Sequence, residues 1–466
     1  MTPDELRTAI DDPEARAELS AVELTDAFLE RIEEVQPVIN AFITTTPEIA
    51  LEDARRADER RAAGEDLPLA GMPIAVKDNI DVAGVRTTVA SKFFADFVPD
   101  EDAETVRRVR AAGGVVVGKA FLHEFVFGAT CTNPFYGQCR NPWDVERIPG
   151  GSSGGSGAAL AADLCVGALG SDTGGSVRIP AHLNGVSALR PTFGGVSSRG
   201  AFPICWSFDT VGPMARSIAD VAQLYAVMAG YDLEDPRAVD HPVADAISGL
   251  DAGVEGVRIG IPEEFFFEDL EPGLGECVRA AAAQLADLGA ELVDIVLPGG
   301  ADATDICSRL IRADALALHR ERLESRREDF GADVAERLTT GYAIQGWEVA
   351  ELVQRMYEWR RRMRRLFRDE VDLVLTPTAV ATAPPIEGAE MIATTAKLTR
   401  FTYPWSLAHM PAVSLPCGFA ENGMPVGVQL GADQWQEPLL LRAGVAYQGA
   451  TDFHRRRPPA LVPAAS

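Results

Sequence analysis

Three segments carry residue types whose chemistry depends on meeting in space: PIAVKDN at residues 73–79, PGGSSGGSG at 149–157 and LGSDTGGSVRIPA at 169–181. The last is the plainest. An apolar run ends near Gly170, a tight SDTGG turn follows, and Ser176 opens the next segment. Glycine tolerates the dihedrals and the close approach by which successive N–H groups, here those of Thr173, Gly174, Gly175 and Ser176, can converge on one point. Converging donors hold the oxyanion of an acyl-transfer reaction, and a serine beside them is a nucleophile in need of a base. Lys77 closes the apolar strand-like run PIAVK. Burial penalises an ammonium, so such a lysine can lose its proton near neutral pH and act as that base. A lysine at a strand end can equally snorkel to solvent.

The glycine-rich string has four readings. A linker would be flanked by polar sequence, yet this one runs straight into the apolar AALAADLCVGALG. A phosphate cradle requires G-x-x-x-x-G-K-[ST] or G-x-G-x-x-G between strand and helix, and neither pattern is present. A formal G-x-S-x-G match at Gly151–Gly155 nominates Ser153 as a nucleophile on a strand-to-helix elbow. Pro149 spoils the preceding strand, however, and His182, His241, His319, His409 and His454 sit in no recognisable base context. The fourth reading is a wall of the same active site as Lys77 and Ser176.

Together these segments resemble the amidase signature family. The resemblance is carried by PIAVKDN, NPFYGQCRNPWD, PGGSSGGSGAALAA, LGSDTGGSVRIPA, GVSALRPTFGGVS and DTVGPMARSIADVA, continuous over about residues 67–230. It extends more weakly to VDLVLTPT and PAVSLPCGFAENGMPVGVQL. It implies a Ser–cis-Ser–Lys triad of Ser176, Ser152 and Lys77, with a cis peptide at Gly151–Ser152. It also implies an oxyanion site on the N–H groups of residues 173–176 and supporting hydrogen bonds from Ser153 and Arg178. The reaction it implies is hydrolysis of a carbon–nitrogen amide bond through an acyl-enzyme on Ser176, with Ser152 relaying the proton to Lys77. No metal or organic cofactor is implied.

The substrate stays open within such a family: small amides, allophanate- or biuret-type ureas, carbamates, esters, or glutamine in the A subunit of a glutamyl-tRNA amidotransferase. That subunit has a segment like DIFT…N-L-[AT]-G-L-P-A, and the counterpart here is LTRFTYPWSLAHMPAVSLPCGF. It lacks the acid expected to hold the glutamine ammonium, and Trp405 and His409 intrude. The expectation is therefore a stand-alone amidase with an apolar or aromatic acyl pocket, with Phe125, Val126 and Phe127 as pocket wall or as core. A catalytically silent scaffold protein is the non-enzyme alternative.

The elements that must position these residues are legible in outline. MPIAVKD, GGVVVGKA, LCVGALGSD, VRIGIP, AELVDIVLP, VDLVLTPT, PAVSLPCGF and PVGVQL are short apolar runs alternating with helical stretches such as EDAETVRRVRAAG and IADVAQLYAVMAG. That alternation predicts a three-layer α/β/α fold around a central, mostly parallel mixed sheet. One domain over residues 1–466 is expected: helices over 1–66, the signature core over 67–230, a variable and largely helical region over 231–370, and the rest of the sheet core over 371–466. Residues 232–255 read as a polar loop.

Composition narrows the partners. A formal net charge of −26 argues against nucleic acid and anionic membrane as ligands. No run of about 18 apolar residues suggests a membrane span, and the charged amino terminus is unlike a signal peptide. The seven cysteines form no CxxC pair and the six histidines no HExxH, so reduced thiols in a cytoplasmic, metal-free protein are expected. The partner expected is a small-molecule amide, with a homodimer left open.

Overall fold

Every one of the eight apolar runs becomes a strand of the computed structural model, which describes residues 1–459 and Leu461. In chain order the strands are β1 (Phe42–Thr45), β2 (Pro73–Lys77), β3 (Val115–Ala120), β4 (Thr132–Asn133), β5 (Gly137–Gln138), β6 (Gly167–Asp172) and β7 (Ser187–Arg190). They continue with β8 (Thr210–Ala215), β9 (Arg258–Pro262), β10 (Glu291–Ile295), β11 (Leu373–Pro377), β12 (Ala412–Phe419) and β13 (Pro425–Gly431). Eleven of them form one sheet in the order β1-β3-β2-β6-β8-β7-β12-β13-β11-β9-β10, while β4 and β5 pair separately.

The sheet is mixed. Parallel ladders lie in two wings, β3-β2-β6 and β11-β9-β10. The stretch β6-β8-β7-β12-β13-β11 is antiparallel throughout, as is the edge pair β1-β3. Antiparallel pairing thus takes a larger share than strand–helix alternation leads one to expect. Its added members are SALR (β7) and TVGPMA (β8), which are too short or too interrupted by Gly and Pro to stand out as apolar runs. The amino-terminal 66 residues also depart from all-helix: the β-branched FITT joins the sheet edge as β1, with Phe42 opposite Ala120. Strands from both halves of the chain share the sheet, so the segments around Lys77 and Ser176 are braced by VDLVLTPT and PAVSLPCGF.

Side chains alternate across the sheet and divide its core in two. Ile74 and Val76 of β2 enter a core with the helices Ile218–Met228, Leu274–Asp287 and Glu437–Gly449, whereas Ala75 enters another with the helix Gly154–Ala161. A third apolar cluster fills the helical lobe of Gly300–Ser325, Ala332–Thr339 and Gly346–Asp369, which packs on the short helix Tyr403–Ala408. Residues 232–255 carry no helix or strand, as expected. None of the seven cysteines is in a disulfide, and six are buried. Among the described residues no helix is long and apolar enough to cross a membrane.

The helix Gly154–Ala161 explains part of the glycine string. A Cβ on Gly155 would stand 2.4 Å from both Ala41 O and Phe121 N. Backbone on both sides cannot yield as a flexible side chain would. The Gly155 N–H donates to Phe121 O at 3.0 Å, so this close approach seats the helix start on the end of β3. Gly155→Ala is expected to destabilise the protein by about 1–3 kcal/mol, as overpacking does, read as a lower denaturation midpoint at unchanged slope.

Candidate active site

Two neighbouring parallel strands, β2 and β6, end side by side and deliver the reactive groups. Ligand sites in α/β sheets gather at carboxyl ends of strands for this reason. β2 ends on Lys77 and β6 on Asp172, two residues beyond the predicted end at Gly170. Lys77 is fully buried, with Nζ 2.7 Å from Ser152 Oγ, 2.9 Å from Ser171 Oγ and 3.4 Å from Ser171 O. A neutral amine has two N–H donors and one lone pair. In the neutral form Ser171 offers acceptors for both donors and the lone pair is left for the Ser152 hydroxyl; in the ammonium form Nζ donates to Ser152 Oγ. Burial lowers the Lys77 pKa to about 7, only partly offset by the Asp172 and Asp209 carboxylates.

The Gly151–Ser152 peptide is cis, as the resemblance implies. Ser152 is buried, and its carbonyl accepts from His123 N at 3.1 Å and from Cys131 Sγ at 3.4 Å. Ser153 faces elsewhere. Its N–H donates to Ser176 O at 3.1 Å and its Oγ to Ser171 O at 3.2 Å. Fully buried and without a histidine partner, Ser153 braces the turn and does not form a nucleophile elbow. Ser176 is half-buried and lines a narrow pocket, with about 320 Å³ of empty space including its mouth. Its hydroxyl makes no protein hydrogen bond among the described residues, so the Lys77–Ser152 link is formed here and the Ser152–Ser176 link is not. Catalytic hydrogen bonds are often loose before substrate arrives.

The turn from Asp172 to Arg178 is built on one carboxylate. Asp172 Oδ1 accepts from Gly175 N at 2.8 Å and Oδ2 from Val177 N at 3.2 Å. Arg178 closes on both oxygens, and Arg190 adds a contact to Oδ1. Burial alone would raise the Asp172 pKa, but the two guanidiniums and these donors outweigh it and hold the carboxyl well below its ordinary range. Of the expected oxyanion donors, the Gly175 N–H is engaged by Asp172, whereas those of Thr173, Gly174 and Ser176 reach no protein acceptor among the described residues. Glycine is required at both central positions. A Cβ on Gly174 would meet Tyr403 Cε1 at 2.1 Å; Gly175 has φ +127° and would meet Thr402 Oγ1 at 2.3 Å. Arg178 supports the site by joining this turn to Thr402 O, Ser406 Oγ and Gln429 Oε1.

The pocket wall differs in part from expectation. Val126 and Phe127 line it, with Gly128, Ala129, Ile204, Ile311, Arg337, Thr395, Thr399 and Tyr403. Phe125 turns away into an aromatic cluster, its ring 4.3 Å from His319 and 5.4 Å from Phe330. Trp405 and His409 are not in the wall. Trp405 is buried against Gly431 and Phe367, and His409 stacks on Phe193 with Nε2 on Ser207 O. The residues of that segment which line the pocket with Ser176 are Thr399 and Tyr403. His182, His241, His319 and His454 likewise lie outside the Lys77–Ser152 contacts and the pocket wall.

Sequence reasoning missed Ser171, Asp172, His123 and Arg337. His123 follows β3 at its carboxyl end, a position that could have flagged it; Nε2 lies 3.0 Å from Asp333 Oδ2. Arg337, one turn later on the Asp333 helix, bore no local signal. Its guanidinium donates to Phe127 O at 3.1 Å and Tyr403 Oη at 3.2 Å and lies over the Phe127 ring.

A buried lysine linked to a cis-Ser, beside a glycine-rich serine turn on a mixed sheet, defines an amidase-type site. The Amidase family model matches residues 23–441, and the chain belongs to that family. It is 41% identical to the A subunit of glutamyl-tRNA(Gln) amidotransferase from Synechococcus sp. (strain WH7803), over 96% of this chain and 97% of that protein. Among solved structures it resembles a chain of an inhibitor-bound vestigial protein complex tied to the origins of an s-triazine catabolic enzyme: 36% identity, TM-score 0.89, 96% and 98% of the two chains. It also resembles the native peptide amidase of Stenotrophomonas maltophilia: 31% identity, TM-score 0.83, 97% and 98% of the two chains.

If neutral Lys77 is the base, kcat/KM should rise with pH through about 7 and level off above it, because the depressed pKa leaves the amine unprotonated only on the alkaline side. Lys77→Ala should lose that limb along with most activity; a limb that persists would assign it to another group. For the serines, Ser176→Ala should abolish labelling by a fluorophosphonate. Ser152→Ala should cut amide turnover about 10²–10⁴-fold, as loss of a general acid–base group does, while slow labelling at Ser176 survives. Peptide mass spectrometry that maps the label to Ser152 or Ser153 would overturn the assignment.

Proposed function

We propose that this chain hydrolyses a small amide that carries a carboxylate, through an acyl-enzyme on Ser176. Neutral Lys77 takes a proton from Ser152, which takes one from Ser176 as its oxygen attacks the amide carbon. The oxyanion is held by N–H groups of Thr173, Gly174 and Ser176. Collapse of the tetrahedral intermediate breaks the carbon–nitrogen bond, and the relayed proton returns through Ser152 to the leaving nitrogen. Water then enters by the same relay in reverse and frees the acid. The 2.7 Å contact of Lys77 and Ser152 and the burial of both support this chemistry.

One observation carries the substrate class. The pocket that holds Ser176 is lined by the arginine Arg337 and by no Asp or Glu. A guanidinium without an acid partner at the edge of a partly apolar pocket suits a carboxylate, which it can grip through two parallel hydrogen bonds.

A second reading is favoured by the sequence relatives: the A subunit of glutamyl-tRNA(Gln) amidotransferase, taking glutamine within a multi-protein complex. Glutamine shares the carboxylate but adds an ammonium, for which this pocket wall has no acid; Thr395, Thr399 and Tyr403 offer only hydroxyls. Glutaramate, which is glutamine without its amino group, separates the two. The purified chain alone is expected to cleave glutaramate with kcat/KM at least about tenfold above that for glutamine, a margin of about 1.4 kcal/mol. The opposite order, or turnover that appears only with partner proteins, would favour the amidotransferase.

A further inference from the structure

The loop that leaves β3 carries a buried histidine which the proton relay does not use. His123 is fully buried, and its ring closes residues 123–131 on themselves: Nδ1 accepts from Cys131 N at 3.3 Å, with Thr130 Oγ1 at the same distance. A backbone N–H can only donate, so Nδ1 carries no proton and the ring N–H sits on Nε2. Nε2 therefore donates to Asp333 Oδ2 at 3.0 Å. Asp333 stands in the first turn of the helix Ala332–Thr339, so a carboxylate of the helical lobe orients this imidazole.

What the closed loop surrounds is the cis-Ser152 turn. Both of its ends land on one atom, the Ser152 carbonyl oxygen, through His123 N at 3.1 Å and Cys131 Sγ at 3.4 Å. Its middle presses on the other side of the same peptide: a Cβ on Gly151 would stand 2.9 Å from Ala129 Cα and 3.0 Å from Gly128 O. The imidazole packs against the inside of the loop, since a Cβ on Gly128 would come within 2.2 Å of Nε2. A ring turned away from Asp333 would leave Gly128 and Ala129 unsupported against Gly151. Ser152 Oγ lies 2.7 Å from Lys77 Nζ, and misplacement by about 1 Å can cost about 10²-fold in rate.

Glu124, the next residue, anchors the same helix by itself. Its Oε2 accepts from Gly331 N at 2.7 Å and its Oε1 from Ser91 Oγ at 2.8 Å. The lobe is thus attached without Asp333, which leaves Asp333 the narrower task of holding the imidazole.

We infer that His123 is a positioning residue: held by Asp333 as the Nε2–H tautomer, its ring braces residues 128–131 against the Gly151–Ser152 peptide and so keeps the Ser152 hydroxyl on Lys77. This rests on the relay proposed above and adds to it a requirement for a carboxylate from the helical lobe.

The test compares Asp333→Ala, Asp333→Asn and His123→Asn with the wild type. Asp333→Ala removes the acceptor, and should slow fluorophosphonate labelling of Ser176 and kcat for glutaramate about tenfold, with KM little changed. Asp333→Asn keeps an oxygen that accepts from Nε2–H and should recover most of the loss. His123→Asn is too short to reach Asp333, so its loss should not add to that of Asp333→Ala in the double variant. Hydrogen exchange reads the brace without turnover: peptides covering 123–131 and 150–157 should exchange about tenfold faster in Asp333→Ala, at an unchanged denaturation midpoint. Labelling and exchange both unchanged in Asp333→Ala would overturn the inference. So would a loss that Asp333→Asn fails to restore, additive losses in the double variant, or faster exchange spread over the whole chain. A wild type that neither cleaves amides nor takes the label, yet shows the Asp333-dependent exchange, would sink the relay and leave the brace standing.

Discussion

A carboxylate removed from water must be matched, and matching Asp172 fixes the catalytic end of this molecule. Its oxygens take two backbone N–H groups of the turn that follows and two guanidiniums, Arg178 from the next helix and Arg190 from the end of β7. Removing one partner of such a cluster leaves uncompensated charge in the interior, a loss of about 3–5 kcal/mol. The turn therefore has little freedom: its length, its glycine conformations and the placement of Ser176 follow from where the Asp172 oxygens lie. Arg178 extends the constraint by tying the same turn to Thr402, Ser406 and Gln429, more than two hundred residues further along the chain.

Lys77 lives under the opposite rule. Lys119, on neighbouring β3, is equally buried but has Asp78 Oδ1 at 3.1 Å and Thr87 Oγ1 at 2.5 Å. That pairing offsets part of its burial. The polar neighbours of Lys77 are serine oxygens, while the closest carboxylates are committed elsewhere, Asp172 to its arginines and Asp209 to Thr173 and two backbone amides. Desolvation without a counter-charge is what brings an amine toward neutrality near pH 7. Burial pushes both lysines down, but on adjacent parallel strands one has an acid beside it and the other has serine oxygens.

The same distinction separates what the sequence revealed from what it hid. Lys77, Ser152 and Ser176 were legible because each sits in a contiguous string whose glycines answer a backbone requirement, such as Gly155 against Phe121 or Gly174 under Tyr403. The eight apolar strands were legible from local pattern, whereas β1, β7 and β8 take their places from long-range pairing that no short run encodes. Gly175 was assigned to the oxyanion site because glycine flexibility shows in a sequence, and the acceptor that occupies its N–H does not. Arg337 stayed hidden: an arginine on a charged amphipathic helix looks like its neighbours until the fold lays that helix across the mouth of a pocket.

Trp405 and His409 show how fine that boundary is. Their segment does reach the pocket, yet through Thr399 and Tyr403, and residues two apart on a helix, such as Tyr403 and Trp405, face nearly opposite ways. Trp405 consequently packs into the core against Gly431, while the phenol of Tyr403 meets Arg337 and the pocket. The machinery for breaking the bond is set by strand ends and close backbone contacts, which tolerate almost no change. The variable part of the pocket wall comes from side chains of the helical lobe and the segment it covers, where one residue can be exchanged without moving a strand. A fold divided in this way can keep one reaction while its substrates diverge.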